Sequence, residues 1–362
     1  MYDDLPTPAV VAELDPIEAN IRTMVAANAR YGLKVRPHIK PHKSVFLTRL
    51  ELELGCQGIT CAKLGEAEVM AAAGFTDILI AFPLIGEDKM TRLARLTDQA
   101  QILTIVNSVA GARQLAQTGQ STGRPIRTLI ELDGGIRRGG IQPLAPAVAF
   151  ARAIHDLQGL QIVGLMYYGG TIYNEDSLEG FERVARLEQQ AVTATARLLS
   201  DEGLDMGILS GGNSFAAKMP HCLAGLTEVR PGNFIFNDCN QLFAGMATEA
   251  QCSLRVVATV VCLVDSCHAI IDAGSKTLTT DLCAKHPGYG AVVGRPDICL
   301  TKLNEEHGFI ESRQPLGLEI GDKIAIIPNH ACVVPNLADE IYGIRNNQVE
   351  RLIRIEARGM NR

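Results

Sequence analysis

Between residues 34 and 240, short β-branched apolar runs alternate with longer stretches whose apolar residues recur every three or four positions. The runs are KVRPHI (34–39), GITCAK (58–63), DILIAF (77–82), LTIVNS (103–108), RTLIEL (127–132), IVGLMYY (162–168), MGILSG (206–211) and EVRPGNFIF (228–236). Between them, stretches such as GEAEVMAAAG and LEGFERVARLEQQAVTATARLLSDEG have the Ala, Leu and Glu content of amphipathic helices laid against a sheet. This alternation predicts βα units around a parallel sheet. Their number and length match a (β/α)8 barrel, with an open doubly wound sheet as the alternative.

After Asn240 the texture changes. LRVVATVVCLV, HAIIDAG, DKIAIIPNHACVV and RLIRIEARG are β-rich runs separated by Gly, Pro and Asn turns. The predicted organisation is an α/β barrel over 15–240 and a mostly β domain made of 241–362 together with 1–14. The early run TPAVVAEL has no place among the barrel strands and is expected to pair with the C-terminal strands.

Composition narrows the function. At 47% hydrophobic and 20% charged, the 362 residues suit a sizeable folded core. A net charge of -6 supplies no field for a polyanion, and the basic cluster at Arg36–Lys43 is too short for a nucleic-acid groove. A small anionic ligand suits it better. No apolar run approaches the roughly 18 residues of a membrane span, and MYDDLPTP lacks the order of a signal peptide, so a soluble cytoplasmic protein is expected. The 10 cysteines are scattered and are read as reduced thiols, nine of them as small buried hydrophobes.

Four stretches carry candidate chemistry. In VRPHIKPHKS, Lys40 falls just past the first strand, where barrels place reactive groups. Its neighbours Arg36, His38, His42 and Lys43 are cationic or imidazole groups that favour the neutral amine needed for a Schiff base, with Lys43 the next candidate. In SGGNS (210–214) a strand ends in a Gly-Gly turn whose N–H groups can cradle a phosphate. In ELDGGIRRGG (131–140) Arg138 can point inward to an anionic oxygen. In PNHACVVPN (328–336) His330 and Cys332 share a face if the backbone is extended, an imidazole–thiolate pair suited to zinc. Each also admits a structural role: a solvated lysine, a tight turn, a surface arginine, a core histidine beside a buried thiol. GYGAVVG (288–294) is no dinucleotide loop, because no helix pattern follows it.

Taken in this order, RPHIKPHKS, LDGGIRRGG, GLMYYGG, SGGNS, TEVRPGNFIFND, IDAGSKTLTTD, NEEHG and PNHACVVPNL resemble the fold-type III pyridoxal-phosphate enzymes of the D-serine dehydratase and D-threonine aldolase branch. The resemblance implies an alanine racemase-like barrel that binds pyridoxal 5'-phosphate, and a β domain carrying a divalent metal. That metal is zinc, with manganese or magnesium as alternatives. Lys40 then carries the cofactor and acts as catalytic base. Arg138 faces its phenolic oxygen, Tyr168 lies near the ring, and Ser210, Gly211, Gly212 and Asn213 hold its phosphate. His330 and Cys332 match the metal pair. The chain departs from relatives at Thr171, where histidine is common, and at Phe234 and Asn237, where tyrosines are common. These departures bear on substrate more than on cofactor.

The implied activity is a lyase on D-3-hydroxy amino acids, most directly dehydration of D-serine or D-threonine to a 2-oxo acid and ammonia, in a homodimer. Retro-aldol cleavage to glycine and an aldehyde is the alternative. Two further readings are a racemase, with Tyr289 as the second base, and a cofactor carrier without turnover. The residues after Asn240 argue against the carrier.

Overall fold

The computed structural model describes Tyr2 and Asp4–Arg362. The chain divides into two compact units. One comprises Thr23–Lys40, Glu51–Gly232 and Met360–Arg362; the other comprises the segment ending at Arg22, Pro41–Leu50 and Asn233–Gly359. The sequence places the divisions after Leu14 and Asn240, whereas compactness places them after Arg22 and Gly232 and assigns Pro41–Leu50 to the β-rich unit.

In chain order, β1 (Ala9–Glu13) belongs to the β-rich unit, and the barrel strands follow. They are β2 (Lys34–Val35), β3 (Ile59–Cys61), β4 (Asp77–Ile80), β5 (Gln101–Val106), β6 (Ile126–Leu132), β7 (Leu160–Tyr167), β8 (Ile208–Gly211) and β9 (Glu228–Val229). They form one parallel sheet in the order β2-β9-β8-β7-β6-β5-β4-β3. Its two edges meet. Thr60 N–H donates to the Pro37 carbonyl at 2.7 Å and Ile39 N–H to the Thr60 carbonyl at 2.9 Å, closing the ring through the His38–Thr60 bridge.

β2 and β9 are much shorter than their apolar runs. Pro37 and Pro231 follow them and cannot donate to the ladder, and the expected strand 228–236 turns at Asn233–Ile235 into a single 3-10 turn. The helices between strands begin and end on local chemistry. Ser108 and Ser177 accept the N–H groups of Gly111 and Gly180 at the starts of Val109–Thr122 and Leu178–Asp201, and Gly123, at φ 67°, ends the former.

Strand register puts Leu79, Leu103, Ile105, Leu129 and Met166 on one face, where they form an apolar cluster. Met166 aligns with Ser210, and Ser210 with Glu228, so on β8 and β9 this same face turns polar. Among the described residues no helix is long and apolar enough to cross a membrane.

The β-rich unit adds β10 (Leu254–Leu263), β11 (His268–Ile271), β12 (Gly290–Val292), β13 (Ile298–Leu303), β14 (Gly308–Ser312), β15 (Lys323–Pro328), β16 (Glu340–Arg345) and β17 (Gln348–Arg354). The sheet order is β11-β14-β13-β12-β15-β10-β1-β16-β17, and β11 also pairs with β10, so the strands from β10 round to β15 close on themselves. β1 runs antiparallel to β10 and parallel to β16, the pairing expected of the 7–14 run.

All ten cysteines are free thiols. Cys239, Cys252 and Cys283 pack against Ile327 as small core hydrophobes. Three others depart from the expectation of burial: Cys262, on the outer end of β10, is exposed, and Cys267 and Cys299 are half-buried.

Candidate active site

In the barrel unit, Lys40 stands in the turn after the His38 bridge, exposed, and its amine makes no hydrogen bond or ion pair among the described residues. Of the neighbours expected to surround it, Arg36 is engaged elsewhere. Arg36 is buried, with Nε 2.9 Å from Glu228 and Nη1 2.8 Å from Asp77, so its charge is neutralised within the barrel. His42 and Lys43 belong to the other unit. There His42 is fully buried, edge-on to Phe236, with Nδ1 accepting the Ser44 N–H.

Arg138 and Tyr168, thirty positions apart in sequence, are brought together. The guanidinium carbon lies 4.4 Å from the Tyr168 ring centroid. Gly134 explains the approach: a Cβ there would fall 1.7 Å from the Tyr168 carbonyl, so only glycine lets the two loops touch.

The Gly-Gly turn forms after β8, with Gly212 at φ 63°. Asn213 folds its side chain over it: Oδ1 accepts the N–H groups of Phe215 and Ala216, and Nδ2 donates to the Gly169 carbonyl at 3.1 Å. The backbone N–H groups of Asn213 and Ser214 have no partner among the described residues, which is the kind of concavity that holds an anion. Two of the expected phosphate donors are engaged elsewhere. Ser210 donates to Glu228 at 2.6 Å and accepts from Arg230 at 2.5 Å, and Gly212 N–H donates to Glu188 at 2.7 Å.

In the β-rich unit, β15 ends at Pro328 and the chain enters a turn, so His330 and Cys332 meet by turning and not by strand alternation. The Cys332 side chain is close enough to act on the His330 imidazole. Asp281 accepts from His330 Nδ1 at 2.8 Å, leaving Nε2 as the nitrogen available to a metal. Burial disfavours the imidazolium, but Cys332, Asp238 and Asp281 outweigh it and push the His330 pKa up to about 10. Asp238, fully buried, fixes the turn by accepting the Ala331 N–H at 3.0 Å.

A second group of donors, Glu182, His221 and Cys222, gathers in the barrel unit. Arg186 already lies 3.3 Å from Glu182 there.

Known proteins resolve what this geometry belongs to. Residues 12–239 match the model of the alanine racemase N-terminal domain, and residues 253–344 that of a putative serine dehydratase domain. The D-threonine aldolase of Arthrobacter sp is 31% identical over 364 residues, covering 98% of this chain and 93% of that protein. The chain belongs to the D-serine dehydratase and D-threonine aldolase family of alanine racemase-like enzymes.

Within this family, the D-threo-3-hydroxyaspartate dehydratase of Delftia sp. (strain HT23) is 32% identical over 349 residues, 91% of each chain. Its structure superposes with a TM-score of 0.90, covering 97% of both chains at 29% identity. It has also been solved as a metal-free cysteine-to-alanine variant and as a variant lacking a histidine two positions earlier. The D-threonine aldolase of Filomicrobium marinum superposes at 0.92 with 28% identity, covering 99% and 98% of the two chains.

Family members of this fold imply pyridoxal phosphate, and the residues here suit it: an unpartnered amine at a strand end, an arginine stacked on a tyrosine, and free N–H groups in a glycine turn. The imidazole–thiol pair with a carboxylate behind it is equally a donor set suited to a borderline-soft divalent ion. Sequence reasoning missed Asp281, Glu188 and Arg230. The first and last lie in IDAGSKTLTTD and TEVRPGNFIFND, where only their position, not a partner, was readable. Arg230 is buried, with Nη2 on the Tyr167 carbonyl at 2.7 Å and Nη1 on Ser210.

Proposed function

We propose that this enzyme dehydrates a D-3-hydroxy amino acid to a 2-oxo acid and ammonia, with Lys40 as the cofactor lysine and His330 and Cys332 as metal ligands. The observation that carries the reading is the His330–Cys332 pair backed by Asp281. A thiolate with an imidazole favours zinc over manganese or magnesium. The dehydratase from Delftia, whose metal-free form lacks a cysteine, supports the same assignment.

Pyridoxal phosphate would supply the electron sink at Cα, and the ion Lewis acidity at the β-oxygen. The chain's own residues do the rest. Lys40 would hold the cofactor, and its amine would take the α-proton. Arg138 would face the cofactor's phenolic oxygen, and Tyr168, stacked against that guanidinium, would line its ring. The turn after β8 would hold the phosphate through the free N–H groups of Asn213 and Ser214. Ser210 supports the turn from below through Glu228 and Arg230. The Cα–H and Cβ–O bonds would break, the hydroxyl leaving as water with the proton taken from Cα, and the released enamine would take up water and give oxo acid and ammonia.

The aldolase reading has its own support in the Arthrobacter and Filomicrobium relatives. There the β-hydroxyl proton is lost and the Cα–Cβ bond breaks to give glycine and an aldehyde. The cytoplasmic homodimer expected from the sequence is carried as part of the same proposal. The experiment that tests it is a product assay on D-serine, D-threonine and D-3-hydroxyaspartate. Ammonia with an oxo acid is expected; glycine with an aldehyde as the main products would make the enzyme an aldolase.

A further inference from the structure

The helix Leu178–Asp201 buries one face made of Phe181, Val184, Ala185, Val192, Thr195 and Leu199, and in the middle of that apolar stripe stands Glu188, 1% exposed. A carboxyl group on such a stripe is costly unless it is repaid by hydrogen bonds. Its partners are specific. Oε1 accepts the Gly212 N–H at 2.7 Å, inside the turn read above as the phosphate site.

Both neighbouring loops are shaped around the same carboxyl. A Cβ at Gly211 would lie 2.7 Å from Oε1, and a Cβ at Gly169 would lie 2.7 Å from Oε2. Gly169 sits at φ −74° and ψ 65°, outside the left-handed region, so its backbone does not demand glycine; the carboxyl does. The Asn213 amide ties the same two loops together from the other side, donating to the Gly169 carbonyl.

We propose that Glu188 is a positioning residue for cofactor binding: its carboxyl is wedged between the Tyr168–Gly169 corner and the Gly211–Gly212 turn and sets the spacing of the two loops that face pyridoxal phosphate. The inference rests on the reading of 210–213 as the phosphate turn. It accounts for two glycines, in YYGG and SGGN, that loop flexibility alone leaves unexplained. Burial raises the carboxyl to about 7, against the pull of the Gly212 N–H and of Arg230, so the wedge is held largely by hydrogen-bond geometry and not by charge.

The test is a spectrophotometric titration of the apoenzyme with pyridoxal phosphate, with thermal melting of each apo variant as the folding control. Glu188→Leu removes the acceptor of a buried N–H and is expected to weaken cofactor binding by roughly tenfold or more, while Glu188→Gln keeps the acceptor and stays within about threefold of wild type. Gly169→Ala is expected to weaken binding by roughly tenfold in the wild-type background and much less in Glu188→Ala, because the clash is then gone.

Wild-type affinity in Glu188→Leu, or an equal cost of Gly169→Ala in both backgrounds, overturns the proposal. So does a Glu188→Gln variant as weak as Glu188→Leu. Failure of the underlying reading is seen separately: the wild-type apoenzyme would then bind pyridoxal, which lacks the phosphate, as tightly as pyridoxal phosphate, whatever the variants do.

Discussion

The barrel unit and the β-rich unit place their chemistry by opposite means. In the barrel unit the buried arginines are spent internally, Arg36 on Glu228 and Asp77, and Arg230 on Ser210 and the Tyr167 carbonyl, and the Lys40 amine is left without a partner among the described residues. In the β-rich unit the donors are neighbours in sequence and stay neighbours in space, locked by Asp281 and Asp238 from distant segments. A cluster in sequence is therefore evidence for a cluster in space only where its members are not drawn off by partners far along the chain, as Arg36 is.

The largest effect expected is at Lys40. Lys40→Ala should lower turnover by about a thousandfold or more and abolish borohydride-trappable cofactor, whereas Lys43→Ala should leave a trapped adduct. An adduct that persists in Lys40→Ala shifts the role to Lys43 and removes the contrast between the units.

Next comes the buried network. Glu228→Ala leaves the buried Arg36 with the exposed Asp77 alone and takes away the acceptor of Ser210, and should destabilise the fold by about 3–5 kcal/mol, measured by urea unfolding, whereas Cys332→Ala should change stability far less. Comparable losses would mean that the pair is ordinary core.

How much of this was legible follows the same division. The eight barrel strands were readable because parallel strands buried on both faces appear as unbroken apolar runs. Their shortening at Pro37 and Pro231 was signalled by the prolines themselves. The spent charge of Arg36 was not readable, because Asp77 and Glu228 lie 41 and 192 positions away. Glu188 left a trace that could have been used. It falls four residues from Val184 and from Val192 on the apolar stripe, where a solvated glutamate has no reason to be. The half-exposed cysteines left none, since a thiol looks the same to a sequence on either side of a strand.

Glu188 also makes the barrel unit sensitive to pH. Burial pushes its carboxyl up from the ordinary 4.5 to about 7, so the folded state holds the proton more tightly. The stability it contributes is complete below about pH 4 and is lost as pH rises through 7, a change of about 3 kcal/mol that Glu188→Gln should flatten. An unchanged pH profile of unfolding in that variant would show that another group titrates.

A smaller effect is expected behind the metal pair. Asp281→Asn should weaken zinc binding by about 10- to 100-fold while leaving the barrel's cofactor spectrum unaltered. Full zinc affinity in that variant would remove Asp281 from the account.

The most direct measurement is turnover of D-3-hydroxy amino acids by the zinc-loaded, chelated and Cys332→Asp enzymes, with oxo acid, ammonia, glycine and aldehyde all quantified. The account predicts oxo acid and ammonia in equal amounts from the zinc enzyme, loss of both on chelation, and recovery on adding zinc back. It predicts reduced elimination, with residual turnover shifted toward glycine, in Cys332→Asp. Equal dehydratase rates in all three forms would contradict it.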